Sequence, residues 1–264
     1  MTLAADYSFA HPKPESFKPA GYDVVLRYVS HTTEKNLTHA EAKELRQAGL
    51  SIGLVWETTA DRATGGESAA EQDRASAETM AADIGYPKTC VIFYAVDEDV
   101  SPDAVNDYFA GLAKGSTHPV GVYGSLRVCE GMRSEGHVTY LWQTEAWSGT
   151  DVSKHAHIYQ RVKATKNIPD GCDEDVLLKP LPLWAPHSHA PVDPTPDPAN
   201  GSAATGLGPM PRIAARVVLK ALNGRKNAVA KPDRSLLADL SSATSDALKV
   251  GVSGGHRGDS TMVR

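Results

Sequence analysis

Cysteine is scarce in this chain. There are three in 264 residues, Cys90, Cys129 and Cys172. Their odd number and the lack of C-x-x-C spacing argue against a disulfide framework and a zinc knot. No run of about 18 apolar residues occurs, so no membrane-spanning helix is expected. The opening Met1-Thr2-Leu3-Ala4-Ala5-Asp6 has neither the basic nor the apolar region of a signal peptide, and none is expected. G-x-G-x-x-G and G-x-x-x-x-G-K-[ST] are both missing, which removes the best signatures of nucleotide-binding open sheets. With 22 Gly and 22% charged residues, the chain is neither collagen-like nor wholly disordered.

Charge is present but unevenly placed. Residues 1–210 hold 17 Lys+Arg against 28 Asp+Glu, a balance of −11, while residues 211–264 hold 10 against 4, a balance of +6. An acidic body carrying a basic tail is the first organisational feature. Between them Pro180, Pro182, Pro186, Pro194, Pro196, Pro198, Pro209 and Pro211 crowd one stretch. Proline at that density lacks backbone donors and favours extended geometry, so 180–211 is expected to be a semi-rigid linker. His187 and His189 within it are expected to be solvated rather than metal-bound. Beyond it, Arg212, Arg216 and Lys220 recur four apart beside Ile213, Val217 and Leu222, the pattern of a short amphipathic helix. Leu236, Leu237, Leu240, Ala243, Ala247 and Leu248 suggest a second one. No aromatic residue interleaves these cations, so nucleic acid is not an expected partner.

The body alternates strand and helix signals. Strands are expected at 23–29, 51–56, 90–96, 119–123, 137–142 and 156–160, after a short first strand that ends at Asp6. Thr38-His39-Ala40-Glu41 and Ser68-Ala69-Ala70-Glu71 read as capping boxes, and Ser101-Pro102 as a third helix start. Repeated strand–helix units imply a parallel sheet covered by helices. An open sheet and a closed barrel both fit; the missing nucleotide signatures favour the barrel. The expected architecture is therefore α/β, a modified TIM-like (β/α) barrel over 1–179. The Pro-rich linker 180–211 and a short helical tail 212–264, an attachment segment, follow it.

In such a barrel, functional residues gather where strands end. Those positions hold Asp6, Glu57, Asp97 with Asp99, Tyr123, Trp142, Gln143, Trp147, Gln160 and Asp173. Paired carboxyl groups can protonate a glycosidic oxygen and stabilise an oxocarbenium-like transition state. Aromatic faces stack on sugar rings. Asp97, Asp99, Asp6 and Glu57 are thus the candidate catalytic residues, and Tyr123, Trp142, Gln143, Trp147, Gln160 and Asp173 the candidate substrate contacts. Each also has a structural reading: Asp99 as a helix-start residue, Glu57 as the partner of a cation, Trp142 and Trp147 as packing. No metal or cofactor is expected.

Gly21-Tyr22-Asp23-Val24-Val25-Leu26-Arg27-Tyr28, Ile92-Phe93-Tyr94-Ala95-Val96-Asp97, Val120-Gly121-Val122-Tyr123-Gly124 and Trp142-Gln143-Thr144-Glu145-Ala146-Trp147 occur in one order along the chain. In that order they resemble the glycoside-hydrolase-like domain of actinobacteria and their phages. That family is similar to the family 25 glycoside hydrolases, lysozymes of the Chalaropsis type. The resemblance, over about 3–179, implies a rim pocket and a peptidoglycan-like wall glycan as ligand. It implies roles for Asp6, Asp97 and Asp173 as the acids of the first strand, the central motif and the last strand. It also shows a departure: the family's central D-x-E is D-x-D here, with Asp99 one methylene shorter than the expected acid. The resulting expectation is a phage-encoded wall glycosidase, an endolysin or a tail-associated protein, released by lysis or carried on a virion. Its tail would then dock on a virion protein. The alternative is a barrel that binds glycan without cleaving it, or a structural minor tail protein.

Overall fold

The computed structural model describes residues 1–187. The rest of the expected linker, beyond 187, and both expected tail helices lie outside the described residues. Eight strands close into a barrel in chain order: β1 (Thr2–Tyr7), β2 (Tyr22–Val29), β3 (Ser51–Trp56), β4 (Ile92–Ala95), β5 (Val120–Gly124), β6 (Tyr140–Thr144), β7 (Ile158–Arg161) and β8 (Asp173–Leu177). β1 to β7 run parallel, whereas β8 is antiparallel to both neighbours and joins β1 in the register Thr2↔Leu177 to Asp6↔Asp173. The barrel reading holds, with its last strand reversed.

Helices fill the connections unevenly. A single turn, α1 (Phe17–Ala20), precedes β2. Full helices follow β2 to β5: α2 (His39–Gln47), α3 (Gly66–Asp83), α4 (Pro102–Gly115) and α5 (Leu126–Ser134). Among the described residues, no helix separates β6, β7 and β8, and none is long and apolar enough to cross a membrane.

Alternation along the strands makes two apolar layers. Ala4, Val24, Leu26, Val55, Phe93, Ala95, Trp142 and Ile158 fill the barrel. Their neighbours, such as Val25, Ile52, Leu54, Tyr94 and Val122, meet the helices. Filling is tight: a Cβ on Gly121 would stand 2.5 Å from the Phe93 ring, so only glycine lets β5 pass it.

The base of the barrel departs from the expected boundary at 179. Leu181 and Leu183 pack against the interior layer, and Trp184 exchanges two backbone hydrogen bonds with Ile52, at 2.9 Å each. Pro182 accepts from Val91 N at 3.0 Å. The first residues of the Pro-rich stretch are thus a stopper rather than spacer, because alternating prolines leave Leu181 and Leu183 free to point inward while Trp184 packs on the outer layer. This pairing also explains why Cys90 and Val91, expected in the fourth strand, precede β4: the amide of Val91 is used by residue 182.

Two capping boxes resolve differently. Thr38 Oγ1 accepts from Glu41 N at 3.1 Å, but the Glu41 carboxylate does not turn back to Thr38. It takes Arg27 Nε at 2.7 Å and Tyr7 Oη at 3.0 Å instead. Arg27 is fully buried, and an unpaired charge there costs far more than an unmet amide at a helix start. The second box is overtaken: α3 begins at Gly66, before Ser68, because Arg62 in the preceding turn binds the buried Asp73 at 2.8 Å. α4 begins at Pro102 with Ser101 as its N-cap. The expected strand start at His137 is a helix stop: Gly136 is left-handed, and His137 N donates to Met132 O at 3.1 Å.

Candidate active site

Parallel strands deliver their C-terminal residues to one rim, and the reversed β8 delivers its first residues there. Asp6 ends up opposite Asp173, and Asp175 sits one alternation deeper, opposite Ala4. Asp6 is buried and takes two hydrogen bonds, from Tyr28 Oη at 3.1 Å and Gln160 Nε2 at 2.8 Å. Tyr123 Oη donates to Gln160 Oε1 at 2.8 Å, which fixes the orientation of that amide. Below them, Trp142 Nε1 donates to Asp175 Oδ1 at 2.7 Å, while Asp175 Oδ2 is buried with no donor.

That orphan oxygen has a chemical explanation. Asp6 and Asp175 interact directly, and burial raises both carboxyls above the ordinary range. The charge of Asp6 adds to the cost of ionising Asp175, whereas Asp175 hydrogen-bonds Asp6 and eases its ionisation, so two adjacent buried carboxyls divide unequally. Asp175 is therefore the member of the pair that keeps its proton to the higher pH, while hydrogen bonds from Tyr28 and Gln160 favour the charged form of Asp6. Burial likewise raises Asp173.

Asp97, immediately beyond β4, is half-buried. Burial and then the charge of Glu57 push it up to about 6, against an opposing pull from Lys35. Lys35 forms an ion pair with Glu57 and lies 5.4 Å from the centre of the Tyr28 ring and 5.7 Å from that of Phe9. Tyr123 stays a neutral hydroxyl, since burial and the charges of Asp6 and Asp97 hold its ionisation well above the usual tyrosine value.

The structure thus brings together Asp6, Glu57, Asp97, Tyr123, Gln160 and Asp173. Four candidates fall elsewhere or serve differently. Asp99 is 55% exposed and pairs with Arg127 Nη2 at 2.6 Å, so it faces the surface beside α5. Gln143 is buried in a structural tie, donating to Asp151 O at 2.7 Å and accepting from Ser153 N at 2.8 Å. Trp142 is 1% exposed, edge-on to Phe93 and Tyr123, and offers a sugar no face; it floors the site through Asp175. Trp147 is half-buried in the turn after β6.

Three residues of the constellation were missed: Tyr28, Lys35 and Asp175. Period-two alternation was the available signal for two of them. Tyr28 lies two beyond inward-facing Leu26, and Asp175 lies two beyond Asp173. Glu174, between the two aspartates, points outward to Tyr22 and Arg161. Burial works to raise it, but hydrogen bonds from Thr165 and Arg161 outweigh that and bring it to about 2. Among the described residues no group of three or more His, Cys, Asp or Glu is arranged to hold a metal ion.

Comparison with known proteins agrees with the barrel fold. The Tat-secreted protein Rv2525c of Mycobacterium tuberculosis, crystallised with L-tartrate, superposes with a TM-score of 0.64 at 23% identity, over 70% of this chain and 99% of that one. An uncharacterized B. stearothermophilus protein gives 0.51 at 14% identity, over 67% and 96%. The uncharacterized protein FadG of Bacillus subtilis is 26% identical over 139 residues; these are 47% of this chain, which spans 24% of that relative's length. The family model for the Rv2525c-like, glycoside hydrolase-like domain matches residues 15–177, from the turn before α1 to the last residue of β8. The chain belongs to the Rv2525c-like glycoside hydrolase-like domain family.

Proposed function

We propose that the barrel takes a bacterial wall glycan across its rim and hydrolyses it as a muramidase-like glycosidase. The observation that carries this reading is a half-buried Asp97, titrating near 6, above a buried carboxyl pair that retains a proton. A general acid works best with a pKa close to the operating pH. Asp97 protonates the leaving oxygen as the glycosidic bond breaks, and a solvent water then adds to the anomeric carbon and returns a proton to Asp97. The remaining negative charge of the Asp6–Asp175 pair, held by Tyr28 and Gln160, stabilises the oxocarbenium-like centre. Tyr28 and Tyr123 line the approach.

A second reading has its own support. The acid that the resemblance assigns to position 99 is turned to Arg127, which favours a barrel that binds glycan without turnover. Delivery by lysis or on a virion, with the basic segment 212–264 docking on a virion protein, completes the proposal and is supported by the charge division of the chain. Immunodetection on purified particles tests it; particles free of the chain reject virion carriage.

The deciding experiment incubates the protein with actinobacterial peptidoglycan and counts reducing ends. Hydrolysis predicts release that falls by at least about 10²-fold in Asp97→Asn and declines as pH rises through about 6, where Asp97 loses its proton. Sedimentation with the wall but no release supports the binding module. Neither release nor sedimentation rejects both.

A further inference from the structure

Away from the rim, on the outer wall at α2, a second set of groups converges. Spacings of four and three place His39, Lys43 and Arg46 on one face of this helix. Trp184 and His187 stand against that face, and these five residues line a cleft of about 190 Å³. Arg46 is fixed in it. Its guanidinium carbon lies 4.4 Å from the centre of the Trp184 ring, and its Nε donates to Ala185 O at 2.8 Å. Its carbonyl accepts from His187 N at 3.1 Å. This anchoring uses Nε and the flat face of the guanidinium. Among the described residues, the two terminal nitrogens of Arg46 and the ammonium of Lys43 meet no hydrogen-bond acceptor and no carboxylate. Arg27, Arg62, Arg127 and Arg161, by contrast, each meet one. Among the described residues no acid lines the cleft, although the body around it is strongly acidic.

We propose that this cleft binds a phosphate group, as a monoester or within a phosphodiester polymer. A guanidinium held rigid, with its outer nitrogens unspent, matches two oxygens of a tetrahedral anion. Lys43, His39 and His187 line the same cleft, and an anion with several oxygens can meet them together where a carboxylate has too few. The prior stacking of Arg46 on Trp184 removes much of the ordering cost. The site is independent of the rim acids, so it stands whatever they do.

The test follows the indole N–H signal of Trp184 by NMR in the full chain. The titrants are inorganic phosphate and, separately, a glycerol phosphate oligomer, at 50 mM NaCl. A saturable shift is expected with at least one of them. Equal affinity per phosphate assigns recognition to the single group, and tighter binding of the oligomer assigns it to the diester polymer. Arg46→Lys keeps the charge but loses the fork, and should weaken binding about tenfold. Lys43→Ala, at an exposed position outside the stack, should weaken it severalfold and serves if the Arg46 variant does not fold. The proposal is overturned by shifts that do not saturate, by equal shifts with chloride, or by unchanged affinity in Lys43→Ala.

Discussion

At the scale of the residue, the site turns on which carboxyls can lose a proton. Asp6 and Asp175 have folded-state values above their unfolded ones, so folding binds protons there. The stability they contribute is full below about 4, the ordinary carboxylate range, and is lost as pH rises through their raised folded values. Asp175→Asn keeps an acceptor for Trp142 Nε1 and supplies a permanent N–H toward Asp6. Its melting temperature should exceed that of the parent at pH 8 and converge on it toward pH 4; a constant difference across that range would refute the retained-proton account. Asp99→Asn removes only a surface ion pair, worth about 0–1 kcal/mol. It should leave both melting temperature and any glycan turnover within about twofold in rate. Loss of turnover would place Asp99 back at the rim. The acids at strand ends were legible from the sequence, because a carboxylate following an apolar run is conspicuous. Which of them face inward was not: Asp97 and Asp99 share a strand parity, but both lie beyond the end of β4 at Ala95, where alternation no longer sets direction.

At the scale of the element, helix and strand identities followed from periodicity, while their ends depended on tertiary partners. Glu41 is the clearest case. Locally it completes a capping box with Thr38, but the buried Arg27 claims its carboxylate. Glu41→Gln should therefore cost about 3–5 kcal/mol, since it strands a buried guanidinium. Thr38→Ala should cost about 1 kcal/mol through the lost cap. Urea denaturation of both variants checks the order, and equal costs would mean that Arg27 finds another partner. Helix α5 was not foreseen, although Ser125 caps it by accepting from Val128 N at 3.3 Å. Its apolar positions, Val128, Cys129 and Met132, are too few to stand out. The antiparallel course of β8 was equally hidden, since Asp173-Glu174-Asp175 reads as an acidic turn. The outward Glu174 is satisfied by Thr165 and Arg161 from the preceding strand and loop and by Tyr22 from 152 residues away.

At the scale of the whole molecule, the described body ends in a stopper, not at its last strand. A chain ending at residue 187 keeps Leu181, Leu183 and Trp184. One ending at 179 loses Leu181, Leu183 and Trp184 from the base, and should be less stable by roughly 2–5 kcal/mol. Calorimetry of the two truncations checks this, and equal melting points would show that the base closes without them. The seam between β1 and β8 has a further consequence, for the order of events in folding. Residues 2–7 find their second neighbour only when residues 173–177 arrive, the longest separation along the chain of any strand pair here. Until then β1 is an open edge, and such distant pairings form slowly because a long loop must close first. That same seam carries Asp6 and Asp175. Because burial raises both carboxyls, closing this seam is linked to proton uptake, and the joint that completes the ring is favoured as pH falls.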